Sequence, residues 1–437
     1  MSRMRGLPWH WWPLIIGFPL LTLVLVVGGF LVAAQGGFAV FQIPRDDGTP
    51  ISTDTATLER GQYLARVGDC MGCHSVRGGP VLAGGRGFKT AWGTVYSTNL
   101  TPDVETGIGD WSAAEFRHAM QQGASRTGLL YPVFPFQHFQ HVQAEDLDAI
   151  FAWLRSQPAV HAPTPPAKLE SLAAWRGAML GWRALFHHPE SLPSAASADP
   201  AWQRGRYLVE GLGHCAMCHG RRGAFGSLPA PVRFAGGRIP NLGWVAPALD
   251  REALAQWSVT DLADYLRIGT APQASAFGPM AEVVYSSTQY LSQADAEAMA
   301  TYLLSLPPVR LAGSHAPYPL PRARTLVDTA SARMYQDHCA DCHGEQGQGR
   351  ARVYPPLAGN PMVTAEDPVN LIRIVLIGAA APSTAGNPYP HSMPPFTQRL
   401  DDAQLLSVLN HVRGSWGNDA SAISPWQLHE VRALPVE

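Results

Sequence analysis

Charged residues are scarce in this chain of 437 residues, at 15%, against roughly 25% in an average globular domain. The formal net charge of −2 offers neither a basic field nor an acidic tail, which argues against binding to nucleic acid. The 42 glycines and 38 prolines follow no fixed period, as expected of many loops around something other than a large apolar core. The length allows about three domains of ~150 residues.

Cysteine is equally sparse, and none of the six lies outside the pattern C-x-x-C-H. The three copies are Cys70-Met71-Gly72-Cys73-His74, Cys215-Ala216-Met217-Cys218-His219 and Cys339-Ala340-Asp341-Cys342-His343. Three disulfides are the ordinary alternative in an exported chain, and zinc is another, but zinc needs four ligands and each cluster has three. The pattern predicts three covalent haem c groups, each with two thioether bonds and a proximal histidine on the iron.

The regions around these motifs repeat. Arg60-Gly61-Gln62-Tyr63-Leu64 and Arg204-Gly205-Arg206-Tyr207-Leu208 precede the first two motifs, and Ser112 and Ser258 are candidate N-caps of later helices. Each unit closes with a helical pattern, over 146–154, 294–304 and 402–412. The chain is therefore predicted to contain three copies of one small helical module.

The far side of an electron-transfer haem usually carries methionine or histidine. Met280 and Met393, each beside proline in a predicted loop before the closing helix, are the candidates in the second and third modules. Gap filling in an apolar core is the alternative for a methionine.

The first module has Phe134 at the corresponding position, and phenylalanine cannot bind iron. The candidate replacements are His138, ranked first, then His141 and Met120. If none binds, the iron is five-coordinate and open to small molecules, which keeps a haem enzyme as an alternative function.

The first 50 residues differ from the rest. Arg3 and Arg5 precede an uncharged run of 21 residues, 14–34, which is long enough to cross ~30 Å of hydrocarbon. A cleaved signal peptide is the alternative, but its apolar region is usually only ~7–15 residues long. Both interpretations place the N-terminus inside and the remainder outside the cytoplasmic membrane.

The predicted fold is mainly α, with one N-terminal transmembrane helix followed by three class I cytochrome c domains in tandem. The boundaries are an anchor at 1–45, domains at 50–165, 195–310 and 325–420, a linker with an amphipathic helix at 166–194, a Pro-rich linker at 311–324 and a tail at 421–437. The amphipathic helix suits a membrane surface, a partner or a strut between modules.

The chain resembles the triheme cytochrome c subunits of bacterial membrane-bound dehydrogenases that oxidise alcohols, aldehydes, sugars and sugar acids. The resemblance covers nearly all of 50–420 and is most specific at 99–103, 106–109, 207–214, 278–284 and 287–291. It implies an electron-transfer subunit without substrate chemistry, which accepts electrons from a catalytic subunit and passes them to ubiquinone or a terminal oxidase.

The family also suggests which partner to expect. Alcohol dehydrogenase-type members carry methionine at the position of Phe134, whereas Phe134 followed by His138 resembles the cytochromes of molybdopterin aldehyde or isoquinoline oxidoreductases, which include a small iron-sulfur subunit. The resemblance therefore favours a molybdopterin aldehyde dehydrogenase as partner, at the periplasmic side of the inner membrane. Quinoprotein alcohol and flavin sugar dehydrogenases remain alternatives, as does a subunit of a terminal oxidase.

Overall fold

The computed structural model describes residues 50–170, 178–187, 197–229, 232–309 and 328–435, with residues 28, 29, 42–44 and 48 of the N-terminal segment. The predicted membrane span lies outside these residues except for Gly28 and Gly29, and the Pro-rich linker 311–324 lies outside them entirely. Within the described ranges, no helix combines the length and the apolar character that a membrane crossing needs.

The first module begins and ends with long helices that pack against each other. Its helices are α1 (Thr55–Val67), α2 (Cys70–His74), α3 (Ala113–Gln122), α4 (Phe136–Phe139) and α5 (Ala144–Arg155). Its antiparallel hairpins are β1 (Gly87–Thr90) with β2 (Gly93–Tyr96), and β3 (Ala124–Ser125) with β4 (Gly128–Leu129).

The second module repeats this order. Its helices are α6 (Pro200–Tyr207), continued by a π-helical segment (Leu208–Leu212), then α7 (Ala216–His219), α8 (Val259–Ile268), α9 (Gly278–Ser286) and α10 (Gln293–Ser305), with 3-10 turns at Ala224–Gly226 and Thr288–Tyr290. Its hairpins are β5 (Gly237–Ile239) with β6 (Trp244–Ala246), and β7 (Thr270–Ala271) with β8 (Ala274–Ser275).

The third module departs from this order. Its elements are α11 (Thr329–His338), α12 (Ala340–His343), α13 (Pro361–Thr364), α14 (Val369–Ile377), the pair β9 (Ala379–Ala380) and β10 (Ser392–Met393), and α15 (Asp402–Gly414). Its described residues have a short helix before α14, no counterpart of the first hairpin, and no short helix between the strand pair and the closing helix. The closing helices α5, α10 and α15 contain the three predicted helical stretches, which confirms them.

The first and last helices cross through a glycine in two modules. A Cβ atom built on Gly61 would lie 1.9 Å from the carbonyl oxygen of Ala149, and one built on Gly205 would lie 1.9 Å from that of Ala298. No other residue could occupy either position without moving a backbone, because real Cβ atoms never approach a carbonyl oxygen so closely. The repeated glycine of the sequence is therefore explained by helix packing.

The two helix N-caps predicted from the sequence are present in the structure. Ser112 forms a reciprocal capping box with Glu115, and the hydroxyl of Ser258 accepts from the amide of Asp261, which confirms both predicted N-caps. The loop position predicted for the two methionines is wrong. Met280 lies in the first turn of α9 behind Pro279, a residue that starts helices well, and Met393 lies in the short strand β10.

Segments outside the modules also pack against them. The linker strand β11 (Lys168–Leu169) joins the sheet of β1 and β2. Helix α16 (Ala178–Phe186) buries Met179 against the β3–β4 hairpin, and Trp182 donates to the carbonyl of Phe225 in the second module, 3.0 Å away. These contacts match the strut interpretation of the amphipathic segment.

The segment predicted as a tail from residue 421 contains helix α17 (Pro425–Arg432), whose Leu428 and Val431 join the apolar core of the third module. The first and second modules share one continuous apolar core, whereas the third has a core of its own.

Candidate haem-attachment sites

The three histidines of the C-x-x-C-H motifs share one geometry. In each, Nδ1 lies against a backbone carbonyl oxygen: Thr98 at 2.7 Å from His74, Pro247 at 2.8 Å from His219 and Pro355 at 3.0 Å from His343. A carbonyl can only accept, so Nδ1 donates and Nε2 keeps its lone pair, as in metal-binding histidines held by a carbonyl.

A glycine with positive φ completes this arrangement in every module. The amides of Gly84, Gly236 and Gly349 donate to the carbonyl oxygens of the three histidines at 2.7, 2.8 and 2.7 Å, and their φ angles are 72°, 69° and 64°. A Cβ at Gly84 would meet the Thr98 carbonyl carbon at 2.5 Å. These glycines could not be predicted from the sequence, because their spacing from the motif differs in each module.

Burial lowers the pKa of all three proximal histidines below the ordinary value, against the raising effect of the carbonyl hydrogen bonds. Their imidazoles are therefore neutral at neutral pH, which is the form that binds a metal.

The six cysteines are not paired with one another. Burial raises the pKa of Cys70 to about 12 and that of Cys215 to about 12, which is opposite to the thiol activation of thioredoxin-like motifs. Among the described residues, no three His, Cys, Asp or Glu side chains are grouped as a metal site would require. The described residues therefore contain neither the disulfides nor the zinc cluster of the two alternative interpretations, and the Cys70 and Cys215 thiols are not activated.

One cavity of about 640 Å³ lies between the second and third modules. Its lining contains all predicted haem-contacting residues of both: Cys215, Cys218, His219, Met280, Cys339, Cys342, His343 and Met393. The structure thus brings each predicted methionine into the same cavity as its proximal histidine, between predominantly apolar walls. In each of these two modules, a haem with one face toward the histidine and the other toward the methionine would fit this pair of donor side chains.

His138 of the first module is 3% exposed. Its Nδ1 is 2.9 Å from the carbonyl oxygen of Glu210, whereas Nε2 is buried with no hydrogen-bond partner in the described part of the chain. Burial lowers the pKa of His138 to about 3. A neutral imidazole with a free, buried Nε2 is suited to bind iron, and an orphaned buried nitrogen needs such an explanation.

The other two candidates differ from His138. His141 is partly exposed, and burial together with the charges of Arg233 and Arg206 lowers its pKa to about 4. Met120 is buried on α3 in the core shared by the first two modules.

Comparison with known proteins agrees with this geometry. The cytochrome c family model matches residues 58–158 and 329–416. The gluconate 2-dehydrogenase cytochrome c subunit of Pantoea cypripedii is 39% identical over 387 residues, which cover 84% of this chain and 87% of that protein. The cytochrome c subunit of alcohol dehydrogenase (quinone) of Gluconacetobacter polyoxogenes is 37% identical over 384 residues, 84% of this chain and 82% of that one.

This chain belongs to the family of dehydrogenase cytochrome c subunits. The resemblance identified from the sequence is confirmed, and the chain is an electron-transfer cytochrome of the haem c type. A nicotinate dehydrogenase subunit of Pseudomonas putida is also similar, at 38% identity over 398 residues, 88% of this chain but only 32% of that protein.

In this cytochrome subunit, hydrogen bonds and an ion pair also join the second module to the third near their haem-attachment sites. Asn370 of α14 accepts from the amide of Val245 at 2.9 Å and donates to its carbonyl at 2.7 Å, while Arg352 pairs with Asp264 at 2.8 Å. The Asn370 bonds hold strand β6, part of the cavity lining, against the third module, and the Arg352–Asp264 pair holds helix α8 against it.

Proposed function

We propose that the chain holds three covalently attached haem c groups and relays electrons through them. The attachment pairs are Cys70/Cys73, Cys215/Cys218 and Cys339/Cys342, the proximal ligands are His74, His219 and His343, and the distal ligands are His138, Met280 and Met393. The observation that carries the proposal is the threefold repeat of a proximal Nδ1–H bonded to a backbone carbonyl. Bound haem iron supplies reversible one-electron chemistry.

The electron donor in this proposal is the catalytic subunit of a dehydrogenase, as the names of the similar proteins suggest. The sequence at Phe134 and His138 favours a molybdopterin aldehyde dehydrogenase with a small iron-sulfur subunit. Quinoprotein alcohol and flavin sugar dehydrogenases are the alternative donors. The acceptor is ubiquinone or a terminal oxidase of the respiratory chain.

The proposed location is the bacterial inner membrane, with the modules in the periplasm. The support is the uncharged run 14–34 behind Arg3 and Arg5. Fractionation of cells should place the chain in the membrane, and a variant lacking residues 1–40 should lose that attachment. Recovery of the full-length chain in the soluble periplasmic fraction would contradict the anchor.

Purification from membranes tests the donor. We expect a dehydrogenase subunit to co-purify, and metal and cofactor analysis to find molybdenum with iron-sulfur clusters. Pyrroloquinoline quinone or flavin in its place would overturn the molybdopterin assignment while keeping the conduit role. A multi-span haem-copper protein as the sole companion would instead indicate a subunit of a terminal oxidase.

The haem count tests the site assignment separately. Pyridine haemochrome analysis should give three haems per chain, and the variant Cys339→Ser/Cys342→Ser should give two. An unchanged count in the variant would contradict attachment in the third module. Carbon monoxide binding to one reduced haem, together with peroxide activity, would favour a haem enzyme over an electron conduit.

A further inference from the structure

The first two modules contain the same internal ion pair. Arg60 donates through Nε to Asp146 at 2.7 Å, and Arg204 donates to Asp295 through Nε and Nη2, both at 2.8 Å. Each aspartate is the third residue of its closing helix, α5 or α10, and each arginine directly precedes the crossing glycine of the opening helix. The pair therefore belongs to the repeated module.

Two tyrosines connect these pairs crosswise. Tyr63 of the first module donates to Asp295 of the second at 2.5 Å, and Tyr207 of the second donates to Asp146 of the first at 2.6 Å. Both tyrosines are the fourth residue of an Arg-Gly-x-Tyr sequence. Each tyrosine thus bonds to the aspartate of the other module through an equivalent contact, as in the isologous interface of a symmetric dimer.

The tyrosine oxygens also accept hydrogen bonds from the partner module. The amide of Ser292 donates to Tyr63 Oη at 3.3 Å, and the amide of Gln143 donates to Tyr207 Oη at 3.2 Å. Ser292 and Gln143 are the N-cap residues of α10 and α5. Each tyrosine therefore completes the N-terminus of the other module's closing helix, where backbone N–H groups need partners. We call Tyr63, Tyr207, Asp146 and Asp295 the tyrosine clasp.

The third module caps its closing helix differently. The third residue of α15 is Gln404, whose side chain accepts from the amide of Asp401 in a local capping box. Its opening helix has the sequence TASARMYQDH in place of Arg-Gly-x-Tyr. The clasp is thus a property of the first two modules, which also share one apolar core.

The opening helix α1, which carries Tyr63, leads directly to the attachment segment of the first haem site. Val67 and Asp69, which precede Cys70, line the cavity of the second site, and the hydroxyl of Ser287 donates to the carbonyl of Val67 at 3.0 Å. The attachment segment of the first site is therefore seated against the second site, and any rotation of one module against the other would separate them.

We propose that Tyr63 and Tyr207 are positioning residues that fix the first module on the second, and so set the distance over which electrons pass between their haems. This inference rests on the proposed function for the presence of both haems. Tunnelling between redox centres falls steeply with distance, so a small rotation between the modules slows electron exchange. Hydrogen bonds to the charged carboxylates of Asp146, which is buried, and Asp295, which is partly buried, resist such rotation.

Hydrogen exchange in the full-length holoprotein tests the clasp without reference to haem. In Tyr63→Phe, amide exchange should accelerate in the second module at the start of α10, around Ser292. In Tyr207→Phe it should accelerate in the first module at the start of α5, around Gln143. Acceleration confined to the mutated module, or none at all, would overturn the crossed contact.

Electron exchange tests the positioning role. After rapid partial reduction of Tyr63→Phe/Tyr207→Phe, equilibration between the first and second haems should slow several-fold, while that between the second and third stays at the wild-type rate. The matched control is Tyr335→Phe, which removes a tyrosine hydrogen bond of 2.6 Å within the third module, to the carbonyl of Gly344. We expect this control to retain wild-type exchange between the first two haems.

The outcomes separate the two proposals. Fewer than three haems in the wild-type chain would contradict the proposed function. Hydrogen exchange at Ser292 and Gln143 would still show whether the tyrosines contact the opposite module. The positioning role would be overturned if the chain holds three haems and hydrogen exchange follows the crossed pattern, but electrons equilibrate between the first two haems as fast in the double variant as in the wild type. A slowed rate at all haem pairs would also overturn it, because the effect would then be general loosening.

Discussion

The Nδ1 atom of His138 in the first module lies 2.9 Å from the carbonyl oxygen of Glu210 in the second. That oxygen is available because α6 widens into a π-helical segment there. The amide of Gly213 bonds to Leu208, that of Cys215 to Val209 and that of His214 to Gly211, which passes over Glu210. A π-bulge commonly marks a functional position, and here it frees an acceptor for a histidine of the neighbouring module.

Substitution of His138 tests its role as the distal ligand. In His138→Ala we expect one haem of three to become high-spin and to bind carbon monoxide, because the far side of its iron loses its ligand. Absorption and electron paramagnetic resonance spectra of the purified protein would report the change, and the other two haems should keep low-spin spectra.

His141→Ala is the matched control for that experiment. His141 is only three residues away, and the geometry gives it no orphaned ring nitrogen of the kind found in His138. Its spectra should equal those of the wild type. A high-spin haem in His141→Ala together with unchanged spectra in His138→Ala would reverse the assignment.

Met280 is expected to raise the reduction potential of the second haem. Replacement by histidine should leave this haem low-spin and lower its potential, because imidazole donates more strongly than a thioether and stabilises the ferric state. Potentiometric titration would measure the shift. Met299→Leu is the control: Met299 lines the same cavity, and leucine conserves its volume and apolar character. Equal shifts in both variants would contradict ligation by Met280.

Much of the site could be predicted because it depends on short-range sequence. The Cys and His residues of each motif fall within five positions, and the N-caps Ser112 and Ser258 directly precede the helices they cap. The closing helices follow from apolar periodicity alone. Met280 and Met393 were predicted because each lies beside a proline before the closing helix, although the elements that carry them were predicted wrongly.

The remainder depends on contacts between modules, which local pattern does not encode. Tyr63 and Asp295 are separated by 232 residues, and their pairing follows only from how the first module packs on the second. The π-helical segment adds one residue between Gly205 and Cys215 relative to Gly61 and Cys70, which a repeat comparison could have detected. A repeat comparison could not have shown that the Glu210 carbonyl oxygen binds His138, because His138 belongs to the other module.

The stability contributed by Asp295 should depend on pH. Burial raises the pKa of this carboxyl, but the hydrogen bonds of Arg204 and Tyr63 outweigh it, and the pKa lies below the ordinary value. A lowered folded-state pKa stabilises the fold above the unfolded-state value of about 3.9 and loses that effect as pH falls through the folded-state pKa.

Denaturant unfolding should therefore show Asp295→Asn to be less stable than the wild type at pH 7, with the difference shrinking below about pH 4. Glu145→Gln changes an exposed carboxyl in the first turn of α5 and should stay within about 0.5 kcal/mol of the wild type at pH 7. A difference for Asp295→Asn that is constant from pH 7 to pH 3 would contradict the charged role of this residue.

The crossing glycines should be the least tolerant small residues of the first two modules. Gly61→Ala would place a methyl group 1.9 Å from the Ala149 carbonyl oxygen, so the helices must separate, at a cost of about 1–3 kcal/mol or more in the free energy of unfolding.

Gly181→Ala is the control, since a Cβ there, on helix α16, meets nothing within 4 Å. It should be neutral or stabilising by roughly 0.5–1 kcal/mol, because alanine favours helix over glycine. Equal unfolding free energies for the two variants, measured by circular dichroism in denaturant, would mean that the helices can separate at this crossing at little cost.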